Sequence, residues 1–137
     1  NSKFVIFGAE HERKYVSDLI EHIPADRCID LVGKTSLTEA YCWMTHLDGF
    51  LGNDSGLSHL AAAADIPTLT LFGPTKPELY APVNARGLIV VAPERDEVNL
   101  EPSVHKRLIT DIDPKLVIEK TVELIEKLKE EKGMKSA

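Results

Sequence analysis

Residues 52–56 read Gly-Asn-Asp-Ser-Gly and join a short apolar segment to a run of mostly leucine and alanine, residues 57–64. If that run is a helix, Ser55 and Gly56 open it, and their backbone N–H groups point outward without intrahelical partners. The helix dipole adds partial positive charge there, so a phosphate fits, and Gly56 removes the side chain that would hold it away. The Asp54 carboxylate is expected to fold back as the N-cap, leaving the remaining N–H groups and the Ser55 hydroxyl for a ligand. An ordinary capped helix explains the same residues, and spacing does not choose between the two. His59 falls one turn after Ser55, opposite the stripe Leu57, Leu60, Ala61 and Ala64. It therefore faces away from a core, where it could donate to a phosphate or merely touch solvent.

Two further stretches have suitable chemistry. In Phe7-Gly8-Ala9-Glu10-His11-Glu12 the acids follow an apolar run. A carboxylate at the end of a strand can accept paired hydrogen bonds from the vicinal hydroxyls of a ribose, and acids that complement a helix dipole read equally well. In Gly33-Lys34-Thr35-Ser36, Lys34 either faces a diphosphate or is an exposed lysine. Neither the phosphate-loop pattern G-x-x-x-x-G-K-[ST] nor G-x-G-x-x-G occurs, which argues against a nicotinamide cofactor. No metal-ligand spacing and no nucleophile elbow are found, so no metal and no cofactor are expected.

These residues need a scaffold that gathers them. The apolar runs 3–7, 28–32, 49–51, 67–72 and 88–91 read as strands, several of them continuous as in a parallel sheet buried on both faces. Helical stripes alternate with them: Val16, Leu19, Ile20 and Ile23, closed by Pro24; then Leu37, Ala40, Tyr41 and Met44, opened by a Ser36/Glu39 capping box; then the stripe after Gly56. A last helix begins at Asp113-Pro114 and lays Val117, Thr121, Leu124, Ile125 and Leu128 across the sheet. The stretch 92–113 reads as loop with one short helical turn. Strand and helix alternating over short links define an α/β fold, a Rossmann-like doubly wound parallel sheet. Gly8, Gly33, Gly52 and Gly73 each follow a strand, so their turns are expected along one carboxyl edge, where open α/β sheets bind ligands.

The chain has 137 residues, enough for one domain with a core. Hydrophobic residues make up 43% and charged residues 28%, a globular composition with no apolar run of membrane-spanning length. The net charge of −6, without basic clusters among aromatics, excludes a nucleic-acid polymer as partner but not a single nucleotide. No secretory leader is read, and the chain opens on a strand without an initiator Met, as an excised piece of a longer protein would. Cys28 and Cys42 are expected to be buried thiols, and the charged C-terminal stretch a solvated helix end.

The block "GNDSGLSHLAAAADIPTLTLFGPTKPELYAP" closely resembles the signature of glycosyltransferase family 9, the bacterial lipopolysaccharide heptosyltransferases. There an Asp-Ser/Thr-Gly-x-x-His helix start precedes a Pro-led strand and Phe/Tyr-Gly-Pro-Thr. The flanks "FGAEHE" and "LVGKTSLTE" look like the family's Gly-Ala-x-x-Glu and Gly-x-x-Ser-Leu segments. The resemblance implies the GT-B architecture, two Rossmann-like halves with the active site between them. Residues 1–137 would form a single C-terminal, donor-binding domain. It places Asp54, Ser55 and Gly56 at the diphosphate of an ADP-sugar, by family ADP-heptose, with His59 beside it and Glu12 on the ribose. Transfer would be inverting and metal-independent. The catalytic base, the contact with a lipid-linked saccharide acceptor, a basic residue directed at the donor phosphates and the first strand–helix unit of this half would all lie upstream. A cytoplasmic location, peripheral at the inner membrane, is implied as well. Lys76 stands where the family often has an acid, Tyr80 lies near its usual tryptophan, and the cysteines of many members after the fifth strand are missing, so the donor sugar stays open. Other readings are another GT-B enzyme, a UDP-sugar transferase or an epimerase, and a non-catalytic nucleotide-binding module.

Overall fold

All five apolar runs read as strands become strands, and each pairs in parallel with a neighbour. The structure, a computed structural model, describes residues 2–83, 86–95 and 106–133. The chain divides into two compact units, Asn1–Cys42 and Trp43–Ala137.

In the first unit, β1 (Phe4–Ile6) lies beside β2 (Cys28–Asp30), with Phe4 opposite Cys28 and Ile6 opposite Asp30. Between them runs α1 (Arg13–His22), entered through a 3-10 turn at Glu10–Glu12. It stops where predicted: Ile23 is extended, as the ring of Pro24 demands of the residue before it. Val16 and Ile20 are half-buried, but Leu19 is exposed, because a two-stranded ribbon is too narrow to cover the flank of the apolar stripe. Of the two thiols expected to be buried, Cys28 is half-buried and Cys42 exposed.

The helix α2 (Leu37–Met44) runs from the first unit into the second. Its capping box forms as read: Ser36 N–H donates to Glu39 Oε2 at 2.7 Å and Glu39 N–H to Ser36 Oγ at 3.2 Å. Ala40 and Met44 are buried, while Leu37, in the first turn, is exposed.

The second unit carries β3 (Phe50–Asn53), β4 (Thr68–Phe72) and β5 (Gly87–Val91) in the order β3-β4-β5. Leu69 pairs with Leu88 and Leu71 with Val90, so these side chains share one face of the sheet. There they pack with Ala92, Ile109, Ile112, Val117 and Leu124, the last two from α5 (Pro114–Glu131). Asp113 caps α5 by accepting from Lys115 N–H at 2.9 Å, with Pro114 at the first helical position. Leu124 is buried but Ile125, assigned to the same stripe, is 43% exposed, since it lies 100° further round the helix. Thr68, Thr70 and Phe72 have the opposite parity and are also buried, so β4 is covered on both faces. The helix α3 (Gly56–Ala63) connects β3 to β4, and a short α4 (Pro77–Tyr80) follows β4. Of the stretch read as loop, residues 96–105 lie outside the described residues; Ile109–Asp111 supplies its helical turn. Among the described residues no helix is long and apolar enough to cross a membrane.

Candidate functional site

In the second unit the ladder delivers the candidate turn. Asp54 N–H donates to Leu71 O at 3.0 Å, extending the β3–β4 pairing one residue beyond the strand. Ser55 is extended (φ −159°, ψ 171°) and is the N-cap of α3. The Ser58 hydroxyl donates to Ser55 O at 2.7 Å and accepts from Ser55 N–H at 3.3 Å. Sequence reasoning left Ser58 out of the buried set, yet it is fully buried; the Ser-x-x-Ser spacing was the available signal.

Asp54 does not cap the helix as expected. Its Oδ2 accepts from the Thr75 hydroxyl at 2.6 Å, which turns the carboxylate toward the chain after β4. The physical reason is proximity: β3 and β4 are neighbours, and their ends bring residues 54 and 75 together. Gly56 and Leu57 N–H, which precede the first intrahelical bonds, have no partner among the described residues. His59 is exposed, as its angular position predicted, and its ring makes no hydrogen bond or ion pair among the described residues.

In the first unit, Glu12 curls back so that Oε2 accepts from Ala9 N–H at 2.7 Å. This is the helix-start role weighed for the acid; its Oε1 has no partner among the described residues. Lys34 does not stand free at its turn. Its ammonium donates to Asp30 O at 3.0 Å and lies 3.6 Å from Asp30 Oδ2. Arg13, which sequence reasoning missed, binds Asp30 Oδ2 at 2.8 Å, Val32 O at 2.7 Å and Glu10 Oε1 at 3.2 Å. The Arg13 hydrogen bond, then that of Val32 N–H, holds the Asp30 carboxyl below the usual carboxylate range. An arginine at the start of α1 and an aspartate at the end of β2 had no motif to mark them as partners.

The glycines after the strands separate by what surrounds them. A Cβ on Gly33 would meet Glu10 Oε2 at 2.2 Å, and its φ of +69° is left-handed besides. One on Gly52 would lie 2.7 Å from the Phe50 ring, and one on Gly73 2.9 Å from Ile109 N. The protein's own packing requires these three. Gly56 is different, since an added Cβ would meet nothing within 4 Å. Its φ is not left-handed either. The residue at the first position of α3 thus leaves open space above two unpaired N–H groups. Two recesses lie elsewhere, one against Pro67, Arg86 and Leu124 and another beside Ile23 and Cys28.

The parallel α/β architecture is one whose open sheets, as a class, receive ligands outside the carboxyl ends of their strands. Comparison with known proteins narrows the class. Residues 3–108 match glycosyltransferase family 9 (heptosyltransferase), and the chain belongs to that family. It is 32% identical to lipooligosaccharide heptosyltransferase 2 of Haemophilus influenzae over 130 residues, covering 89% of this chain and 37% of that protein. Among solved structures, it is similar to a family 9 glycosyltransferase from Veillonella parvula (TM-score 0.76, 22% identity, 91% of this chain and 37% of that one). It is also similar to the Escherichia coli ADP-heptose lipopolysaccharide heptosyltransferase II (TM-score 0.72, 25% identity, 95% and 37%). The chain therefore spans a little over a third of the length of the relatives it matches.

Proposed function

We propose that this chain is the donor-binding part of an inverting, metal-independent glycosyltransferase of lipopolysaccharide core synthesis, with ADP-heptose as donor. The observation that carries the reading is Gly56: it opens α3 with no packing or dihedral need for glycine, beside N–H groups that lack partners. A diphosphate would accept from Gly56 and Leu57 N–H, aided by the helix dipole. The Ser55 hydroxyl and His59 are close enough along α3 to contribute further donors. The family resemblance assigns Glu12 to the ribose; with Oε2 anchored on Ala9 N–H, Oε1 is the oxygen left to accept. Lys34, engaged with Asp30, contributes least of the assigned residues.

Family membership and the name of the E. coli neighbour support an ADP-sugar over a UDP-sugar. The acceptor, a lipid-linked saccharide, and the general base belong to the rest of the enzyme, working at the cytoplasmic face of the inner membrane. The test is titration of the isotope-labelled chain with ADP and, separately, UDP. Amide shifts are expected at residues 8–12 and 52–59, and at lower concentration for ADP. Shifts confined to α5, or equal titration by UDP, would reject the assignment.

A further inference from the structure

An aspartate two residues before a free N–H ordinarily accepts from it, closing an Asx turn. Asp54 stands in that relation to Gly56, yet its carboxylate is engaged elsewhere, by the Thr75 hydroxyl at 2.6 Å. We infer that Thr75 is a positioning residue of the donor site: it holds the Asp54 carboxylate off the start of α3 and so keeps the Gly56 N–H open to an anion. This inference rests on the diphosphate reading above.

The geometry leaves little else to hold the carboxylate there. The Asp54 backbone is fixed by its hydrogen bond to Leu71 O, so only the side chain can swing. Ionised carboxylate oxygens only accept, so the Thr75 oxygen must be the donor, and such charge-assisted O–H···O bonds are the strong kind. No cationic side chain pairs with Asp54 among the described residues. Thr75 is itself placed by the turn after β4, where buried Gly73 packs against Ile109 too closely to admit a side chain. If the hydroxyl were removed, the carboxylate would rotate toward the Gly56 N–H. That would occupy the donor and set a negative charge where the phosphate belongs. The cost would fall on ligand binding, while the helix would gain a cap.

This combination separates positioning from a merely structural role. In the ligand-free chain, Thr75→Val is expected to slow hydrogen exchange at the Gly56 amide and to leave the melting temperature unchanged or raised. Its ADP dissociation constant should rise about tenfold, the equivalent of one modest hydrogen bond. Thr75→Ala should repeat the pattern and guards against a folding defect specific to valine. Thr75→Ser, which keeps the hydroxyl, should keep both the exchange rate and the affinity of the unaltered chain. Unchanged exchange at Gly56 or unchanged affinity in Thr75→Val, or the same losses in Thr75→Ser, would each overturn the inference. If the unaltered chain fails to bind ADP, the diphosphate reading falls, and the exchange measurement still decides whether Thr75 restrains Asp54.

Discussion

Single residues at the turns after the strands are set by what surrounds them, and Gly56 and Gly33 mark the two extremes. Gly33 has a left-handed φ and the Glu10 side chain where a Cβ would go, so its glycine serves the fold. Gly56 faces empty space, so neither packing nor dihedral angle asks for a glycine there. Gly56→Val is therefore expected to abolish ADP binding while the chain stays folded, at a helix-propensity cost under ~1 kcal/mol. Calorimetric titration with ADP and a thermal melt of the same sample check both halves. An unfolded variant would make Gly56 a structural residue, and undiminished binding would move the phosphate elsewhere. Sequence pattern treated Gly8, Gly33, Gly52 and Gly73 alike, because a glycine letter does not record what lies beside it.

Helix ends were more legible than helix faces. The Ser36/Glu39 box and the Asp113 cap involve groups within three residues of one another, so local sequence suffices to place them. The faces of α1 and α5 differ from the sequence reading at Leu19, beyond the width of the ribbon, and at Ile125, 100° round the helix from Leu124. The start of α3 is the exception among the ends, since Asp54 found a partner 21 residues away. The capping box also carries a pH dependence. The Ser36 backbone N–H, then its hydroxyl, hold the Glu39 carboxyl below the usual glutamate range. A depressed folded-state pKa means the unfolded chain binds more protons, so this contribution is present above the ordinary glutamate pKa. It is lost as pH falls through the lowered folded value. Asp30, Asp111 and Glu123 are shifted the same way, by Arg13, Arg95 and Lys120 first, so acid should destabilise the whole chain. Urea midpoints measured downward from neutral pH should fall, and Glu39→Gln, which keeps an acceptor but does not titrate, should fall less steeply. Parallel curves for the two proteins would remove Glu39 from the account.

For the molecule as a whole, the expectation concerns what the chain cannot do unaided. Inverting transfer needs a base within hydrogen-bond reach of the acceptor hydroxyl and a donor held in line for attack. The acids near the candidate turns already have partners: Asp54 with Thr75, Glu12 with Ala9, and Glu10 with Arg13. General-base help is worth roughly 10²–10⁴-fold, and acceptor positioning more. Residues 1–137 given ADP-heptose and a lipid-linked saccharide acceptor are therefore expected to show background transfer only. Supplying the other part of a family enzyme in the same chain should restore turnover. Robust transfer by the isolated chain would mean that a base lies within it, with His59, exposed and unpartnered among the described residues, the first to replace.

By itself, the sequence determined the strand and helix order, both local caps of α2 and α5, the parallel α/β class and the family, because each depends on residue type, period or near neighbours. It also placed Ser55 and Gly56 at the start of α3 and His59 on its exposed side. Only the tertiary structure decided that Asp54 answers to Thr75 and that Arg13 binds Asp30. These are partnerships between chain segments that pairing of parallel strands brings side by side, and no local pattern records who the neighbour will be.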